Sequence, residues 1–238
     1  MFRHQGKTRK YQHNLKIAIL LSGVAGMVNV IGFFSVARLT TNVTGHFAFF
    51  AAEIYQLQFH IGLNYLSYIL AFLLGSFFSS LLVEYYMKRN ERSVYVYPIL
   101  LECILLLVVT FIFSKQLKNL EHIIALLLLF AMGLQNALVT KISNAVVRTT
   151  HLTGLFTDLG IELSQLFFYT DASAKTKLLA SIKLRLSIIT SFFISGIIAG
   201  YAFTHIGIIS LFIPAGLLIV GLYYDYFRFK ILSRKNFS

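Results

Sequence analysis

Long runs of apolar residues alternate with short polar breaks along the whole chain, and this pattern predicts membrane-spanning helices. A helical run of about 20 apolar residues is long enough to cross the hydrocarbon core of a bilayer. The chain is therefore predicted to be all-α and polytopic. Six runs have the required length, at about Leu15–Val36, Ile61–Tyr86, Val94–Ser114, His122–Thr140, Leu186–Thr204 and Ile208–Tyr226.

Two shorter segments, Thr40–Phe59 and Thr149–Tyr169, interrupt these runs and resemble each other. The first begins Thr-Thr-Asn-Val-Thr-Gly and the second Thr-Thr-His-Leu-Thr-Gly, and nine of the twenty aligned positions are identical. Asn29 and Asn136 precede the two motifs at matching places. The order span, motif segment, span, span thus occurs twice, which predicts two pseudo-symmetric halves at about 15–114 and 121–226.

Basic residues decide between two topologies. If the motif segments crossed fully, there would be eight spans, and the loop at Lys88–Arg92 would lie opposite the basic N-terminus, against the positive-inside rule. If they are embedded without crossing, six spans remain. The N-terminus (1–14), that loop, the basic loop at Lys175–Arg185 and the tail (227–238) are then all cytoplasmic. We favour this second topology, in which three crossings per half make the halves inverted repeats, as in many transporters.

Composition supports a membrane protein and argues against other classes. Of the 238 residues 57% are hydrophobic and only 13% charged, whereas soluble domains carry about 25% charged residues. The net charge of +12 is concentrated at the termini and in short loops, where it orients membrane helices, so no nucleic acid is expected as a partner. The single Cys103 lies in an apolar run, so neither a disulfide framework nor a cysteine metal site is expected.

The polar residues of the motif segments are candidates for a binding site. Hydroxyl and amide side chains can cap a helix start, glycine allows close approach, and a helix N-terminus attracts anions. We expect a central site for a small polar or anionic solute, built from both motifs; the alternative is that the motifs only cap and pack helices. Gln135 is expected to hold helices together. The candidate residues are Asn29, Thr41, Asn42, Thr44, Gly45, His46, Asn136, Thr150, His151, Thr153 and Gly154.

Three acidic residues in the motif segments are candidates for proton or cation coupling: Glu53, Asp158 and Glu162. Ionisable groups in apolar segments are costly and usually face a cavity or a partner. The alternative is that these acids form structural ion pairs with Arg38 or Arg148.

Other chemistry has little support in the sequence. No His or Cys spacing is typical of a metal site, and no motif such as Gly-x-Ser-x-Gly marks a nucleophile. Neither a cofactor, a metal nor an enzymatic activity is expected.

Four motifs occur in order along the chain: Ala25–Phe33, Thr41–His46, Ala131–Ala137 and Thr149–Gly154. They resemble those of the YoaK family of bacterial membrane proteins of unknown function. The resemblance implies a multi-pass protein of the bacterial inner membrane, with about six helices and no assigned substrate. The family has Asp at the position of Asn29 and Asn at the position of His46, so a charged coupling group at the first position would be neutral here. This departure shifts the coupling hypothesis to Glu53 and Glu162.

The favoured function is a small secondary transporter or permease. At 238 residues the chain is short for a transporter, so a homodimer is a further expectation. The alternative is a non-transporting membrane protein that packs with or regulates a partner.

Overall fold

The computed structural model describes residues 11–89, 94–114 and 120–235, and within these ranges the regular structure is helical, without strands. The all-α prediction is confirmed. A 3₁₀ helix, Gly207–Leu211, joins the last two α-helices. The α-helices are α1 (Tyr11–Val36), α2 (Val43–Tyr55), α3 (Phe59–Lys88), α4 (Val96–Ser114), α5 (Glu121–Ile142), α6 (Leu152–Gln165), α7 (Ala172–Ile206) and α8 (Phe212–Lys235).

Four helical stretches of the described chain are long and apolar enough to cross a membrane: α1, α3, α5 and the run Ala172–Phe227. A shorter apolar helix covers Val96–Ile112. Large apolar side chains such as Phe77, Phe193 and Val220 are exposed on the outside of the bundle. Soluble monomers rarely expose so much apolar surface, so this surface is suited to lipid chains.

Two pairs of parallel helices pack closely through small residues. Along α1 and α7, the Ser191 hydroxyl donates to the Ile19 carbonyl oxygen at 2.7 Å, and the rings of Phe34 and Phe203 lie 5.7 Å apart. A Cβ on Gly26 would overlap the backbone carbonyl of Phe192 on α7. Because glycine has no side chain, the two backbones approach closely, as is typical of membrane helices.

Helices α3 and α5 form the second parallel pair. Tyr68 in the third turn of α3 meets His122 in the first turn of α5, with 2.9 Å between the hydroxyl oxygen and Nδ1. Lys141 reaches Glu84 near their last turns, with 2.5 Å between Nζ and Oε1. A Cβ on Gly133 would overlap a backbone carbonyl of α3, so glycine again permits the contact.

Antiparallel contacts set the direction of the remaining helices. Helix α5 is antiparallel to α1, because Gln135 Nε2 donates to the Leu21 carbonyl at 2.9 Å while Leu128, earlier on α5, lies beside Gly32, later on α1. The Tyr95 hydroxyl, just before α4, donates to Asp225 on α8 at 2.7 Å. Lys16 on α1 meets Tyr224 on α8. Hence α1, α4 and α7 run one way and α3, α5 and α8 the other.

Gly207 allows the chain to reverse between α7 and α8. Its φ of 59° and ψ of −143° form a conformation that glycine adopts at little cost and other residues avoid. Pro214 is the third residue of α8, so the last predicted span has its proline in the first turn rather than at a kink within the span.

The centre of the bundle is formed by α1 and α5. Of their apolar windows 67% and 61% are buried, compared with 28% for α3, which identifies them as the central pair. Their buried faces carry small and branched apolar residues such as Ala25, Val28 and Leu128. Each motif helix packs on an outer helix of this bundle: α2 contacts α3, and α6 contacts α7.

One predicted loop is helical instead. Lys175, Lys177, Lys183 and Arg185 were expected in a loop, but they lie in the first turns of α7. The helix starts early because the Asp171 side chain accepts the Ala174 N–H at 2.7 Å, which caps its first turn. The basic N-terminal residues before Tyr11 and the loop residue Arg92 lie outside the described residues.

Candidate functional site

Each Thr-Thr motif is bonded to the asparagine of the span before it. The Thr41 hydroxyl donates to Asn29 Oδ1 at 2.8 Å, and the Thr150 hydroxyl donates to Asn136 Oδ1 at 2.9 Å. Thr149 adds a second hydroxyl donor to Asn136 at 3.2 Å. The matching asparagines therefore have matching partners, and both amides hold their motif against the bundle.

Gln135 holds the second motif to the central helix pair, in keeping with the role expected for it. Its Nε2 donates both to the Leu21 carbonyl and to the Thr149 hydroxyl, at 2.9 and 3.3 Å. In the first half, the Thr40 hydroxyl donates instead to the Val28 carbonyl at 3.2 Å. Both motifs thus begin with a buried threonine that is fixed to the central helices.

The two motif helices start differently. Asn42 caps α2, because its side chain accepts the Gly45 N–H at 3.0 Å. His151 occupies the same place before α6 and makes no side-chain cap bond. The threonines were expected to help with capping, but Thr44 and Thr153 are exposed and neither caps its helix. The first turn of α6 therefore keeps N–H groups without a side-chain partner.

Each motif has a glycine four residues after its second threonine, and close contacts leave no room for a side chain at that glycine. A Cβ on Gly45 would lie 2.8 Å from Leu39 Cδ1. A Cβ on Gly154 would overlap the ring of His151, which therefore lies directly over the start of α6.

His46 packs the first motif against α3. This side chain is fully buried, with its Nε2 2.6 Å from the Leu39 carbonyl oxygen, so Nε2 must carry the hydrogen. The rings of Tyr65 and Tyr68 lie 6.0 and 5.2 Å from the imidazole. His46 thus joins the loop before α2 to the start of α3.

The second motif opens on a cavity of about 470 Å³. Arg148 is exposed and forms no ion pair within the described ranges, whereas Arg185 is half-buried. Because Arg185 is paired with acids of α6, the unpaired Arg148 guanidinium group and the uncapped start of α6 are the groups that suit the cavity to an anion. The lining residues are Ala145, Val146, Arg148, His151, Gly154, Leu155, Asp158, Ser181, Leu184 and Arg185.

Arg185 is the partner of two candidate coupling acids. Its Nη1 lies 2.8 Å from Asp158 Oδ2, and its Nε donates to Glu162 Oε2 at 2.9 Å. The Ser181 hydroxyl donates to the other oxygen of Glu162 at 2.6 Å. The expected pairing with Arg38 or Arg148 is therefore wrong for these acids, since the first turns of α7 place Arg185 beside α6.

Glu53, which aligns with Glu162, has different surroundings. It is half-buried on α2, and no ion pair involves it in the part of the chain that the structure describes. Among the described residues, no group of three His, Cys, Asp or Glu side chains could hold a metal ion.

The two motifs do not meet in one central site. Helices α2 and α6 do not pack on each other, because each follows the end of a central helix, and α1 and α5 are antiparallel. Gln135 lies beside Leu21, so Asn29 is displaced from Asn136 by about eight residues along α1, or roughly 12 Å. The expected single site is therefore replaced by two separate half-sites, of which only the second borders the cavity.

The family model DUF1275, described as a protein of unknown function, matches residues 17–224, which is most of the chain. The chain belongs to this family. No curated protein and no solved structure matches the chain. An uncharacterised family is what the YoaK resemblance implied, although the name YoaK stays a prediction. DUF1275 membership and the apolar helices together are consistent with a membrane protein and assign no activity.

Proposed function

We propose that the protein is a small secondary transporter whose solute is a small anion that binds in the cavity beside α6. The observation that carries the proposal is the combination of Arg148, which forms no ion pair within the described ranges, and an uncapped helix start around one cavity. An anion there would accept hydrogen bonds from the Arg148 guanidinium group and from backbone N–H groups. His151 and Gly154 shape the floor of this site.

We further propose a topology of six crossings, by α1, α3, α4, α5, α7 and α8, while α2 and α6 do not cross. The alternating directions of the six long helices support it, as do the contacts that pair α1 with α7 and α3 with α5. Two inverted halves, at about 15–114 and 121–226, then follow.

We propose, from the positive-inside rule, that both termini lie in the cytoplasm of a bacterial cell and that the protein lies in its inner membrane. Lys88 at the end of α3 and Lys175 near the start of α7 lie at the same end of the bundle as Tyr11. Helix α7 is about 52 Å long at 1.5 Å per residue, whereas the hydrocarbon core is about 30 Å thick. Its first turns therefore extend beyond the core on the cytoplasmic side, next to the cavity.

The difference between the motifs fits a transporter that is open to one side. The second motif borders a cavity near the cytoplasmic end, while His46 closes the first motif at the other end. In an alternating-access cycle the two half-sites would exchange these states, and the solute would pass along the central helices α1 and α5.

A second candidate is a non-transporting protein that packs with a partner or with a second copy of itself. It is favoured by the bonds of Asp158 and Glu162 to Arg185, which use the motif acids inside the molecule. Exposed aromatic residues at the end of α6, Phe167 and Phe168, would contribute to such a contact.

Anion binding and flux by the purified full chain distinguish the two candidates. Thermal unfolding is measured with inorganic phosphate, acetate and succinate, followed by uptake of the stabilising anion into proteoliposomes. We expect stabilisation and uptake for the wild type and for Lys177→Gln, an exposed α7 control outside the cavity, and loss of both for Arg148→Gln. Stabilisation without uptake favours the packing candidate, and no stabilisation by any of the three anions contradicts the proposed site.

A further inference from the structure

Helix α4 carries an acid in the middle of an apolar segment. Glu102 is 1% exposed, and neither of its carboxyl oxygens has a hydrogen-bond partner among the described residues. It is the seventh of 19 residues in α4, so it lies about 10 Å from one end of the helix and about 18 Å from the other. Its neighbours on the buried face are Ile99, Cys103 and Leu106.

No charged side chain of the described residues neutralises Glu102. Helix α4 packs against α3, α5, α8 and the 3₁₀ helix, and the last has no titratable residue. On α8, Asp225 bonds to Tyr95, seven residues from Glu102 along the chain. The other titratable side chains described on these elements and on α4 are His60, Tyr65, Tyr68, Glu84, Tyr85, Tyr86, Lys88, Tyr97, Cys103, Glu121, His122, Lys141, Tyr223, Tyr224 and Tyr226, and none bonds to the carboxyl group.

The free energy of burial determines the form of this group. An isolated carboxylate in an apolar interior costs many kcal/mol, so the group is held as the neutral acid. Even the neutral acid leaves an O–H donor unpaired, which is still unfavourable in an apolar interior. The acid therefore destabilises the packed bundle in either form.

The fold itself does not require an acid at this position. Pro98 is the third residue of α4, and Pro214 is the third residue of α8. When the two helices are aligned on these prolines, Leu218 takes the position that corresponds to Glu102. Leu218 is fully buried. An apolar side chain thus fills the equivalent place in the second half, and packing alone does not account for Glu102.

We infer that Glu102 is a proton-binding site that couples proton movement to transport. When the site opens to water, the carboxyl O–H bond breaks, the proton passes to water and the carboxylate remains. When the site opens to the opposite side, the carboxylate takes a proton from a hydronium ion, which leaves a water molecule, and becomes neutral before burial. The coupling rests on the proposed transport function, whereas the binding of the proton does not.

This assignment differs from the expectation for the motif acids. Asp158 and Glu162 already have a cationic partner, because both bond to Arg185. Glu102 has no such partner among the described residues, so only a proton removes its charge there.

Infrared spectroscopy of the full chain in lipid tests proton binding without any transport. At neutral pH we expect the absorption of a protonated carboxylic acid in the wild type and in Glu121→Gln, a control at an exposed acid of α5. The absorption is lost in Glu102→Gln. Glu102→Leu, which copies Leu218, loses it as well and protects the test against poor folding of the glutamine variant. Persistence of the absorption in both variants at Glu102, or its failure to shift in D₂O, would overturn the inference.

Uptake into proteoliposomes under an imposed proton gradient tests the coupling. We use the anion that the thermal experiment selects, and expect Glu102→Gln to lose gradient-driven uptake while retaining exchange of the anion without a gradient. Gradient-driven uptake by Glu102→Gln at the level of Glu121→Gln would overturn the coupling. A protein without any uptake would contradict the transport proposal, and the infrared result would still decide whether Glu102 binds a proton.

Discussion

The two motif segments share nine of twenty positions, yet the first packs a buried histidine against α3 and the second borders a cavity. Two exchanged positions account for much of the difference. Asn42 caps α2, whereas its counterpart His151 leaves α6 uncapped. His46 is buried and bonded to a carbonyl, whereas its counterpart Leu155 is a buried apolar residue that also lines the cavity. A repeated sequence has thus produced one closed element and one with free donor groups.

The largest expected effect comes from removing Arg185, the cation of α7 that pairs only with acids of the second segment. Arg185→Gln leaves Asp158 and Glu162 without a counter-charge, and we expect it to lower the free energy of unfolding by about 2–3 kcal/mol. Glu162, only 13% exposed, contributes more to this loss than Asp158, which is 50% exposed. The measurement is equilibrium unfolding in detergent micelles.

Lys183→Gln is the matched control for Arg185→Gln, because Lys183 is exposed on the same part of α7. A loss no larger than that of this control would mean that the ion pairs do not stabilise the second segment.

Substitution of the threonines that bond to Asn29 and Asn136 tests whether the two contacts stabilise the fold equally. Asn29 Oδ1 accepts from Thr41 alone among the described residues, whereas Asn136 Oδ1 accepts from both Thr149 and Thr150. We therefore expect Thr41→Val to cost about 1 kcal/mol of unfolding free energy and Thr150→Val roughly half of that. Unfolding of the two variants in the same detergent makes the comparison, and equal losses would show that Thr149 adds nothing to the second contact.

Removing each side chain tests the position that Asn42 holds in the first motif and His151 holds in the second. Asn42→Ala removes the acceptor for the Gly45 N–H, which costs about 1 kcal/mol at a typical helix start. His151→Ala removes no cap bond, so the free energy of unfolding should change less. Chemical denaturation of both variants gives the difference, and a larger loss for His151→Ala would mean that its ring contact with Gly154 outweighs a cap.

Much of the helical frame could be predicted from the chain, because apolar runs and the repeat are local patterns. The bonds from Asn29 to Thr41 and from Asn136 to Thr150 join positions that were singled out as candidates. The role of Arg185 was missed, since a run of basic residues resembled a loop, although Asp171 is a typical cap for the helix that contains it.

Other features of the site depend on how helices meet, which no local pattern specifies. The separation of the motifs follows from the antiparallel packing of α1 and α5. Glu102 lies in a run that is otherwise apolar, and only the packed bundle reveals that its oxygens have no partner.

The smallest expected effect concerns the start of α7, which carries Arg185 to the second segment. In the first half, Gln58 precedes α3 and makes no side-chain cap bond, whereas Asp171 caps α7. The Ser173 hydroxyl and the Ala174 N–H lower the pKa of the Asp171 carboxyl below its ordinary value of 3.8. A lowered pKa in the folded state means that this carboxyl stabilises the fold above its ordinary pKa, and that the contribution is lost as the pH falls through the lowered value.

Asp171→Asn tests this pH dependence because the amide oxygen can still cap the helix but cannot titrate in this range. Compared with the wild type, the variant should lose less stability as the pH falls below 3.8, while the two differ little at neutral pH. Thermal unfolding in detergent across that range gives the two slopes. Parallel slopes would show that Asp171 is not bonded in solution, and the early start of α7 would then need another cause.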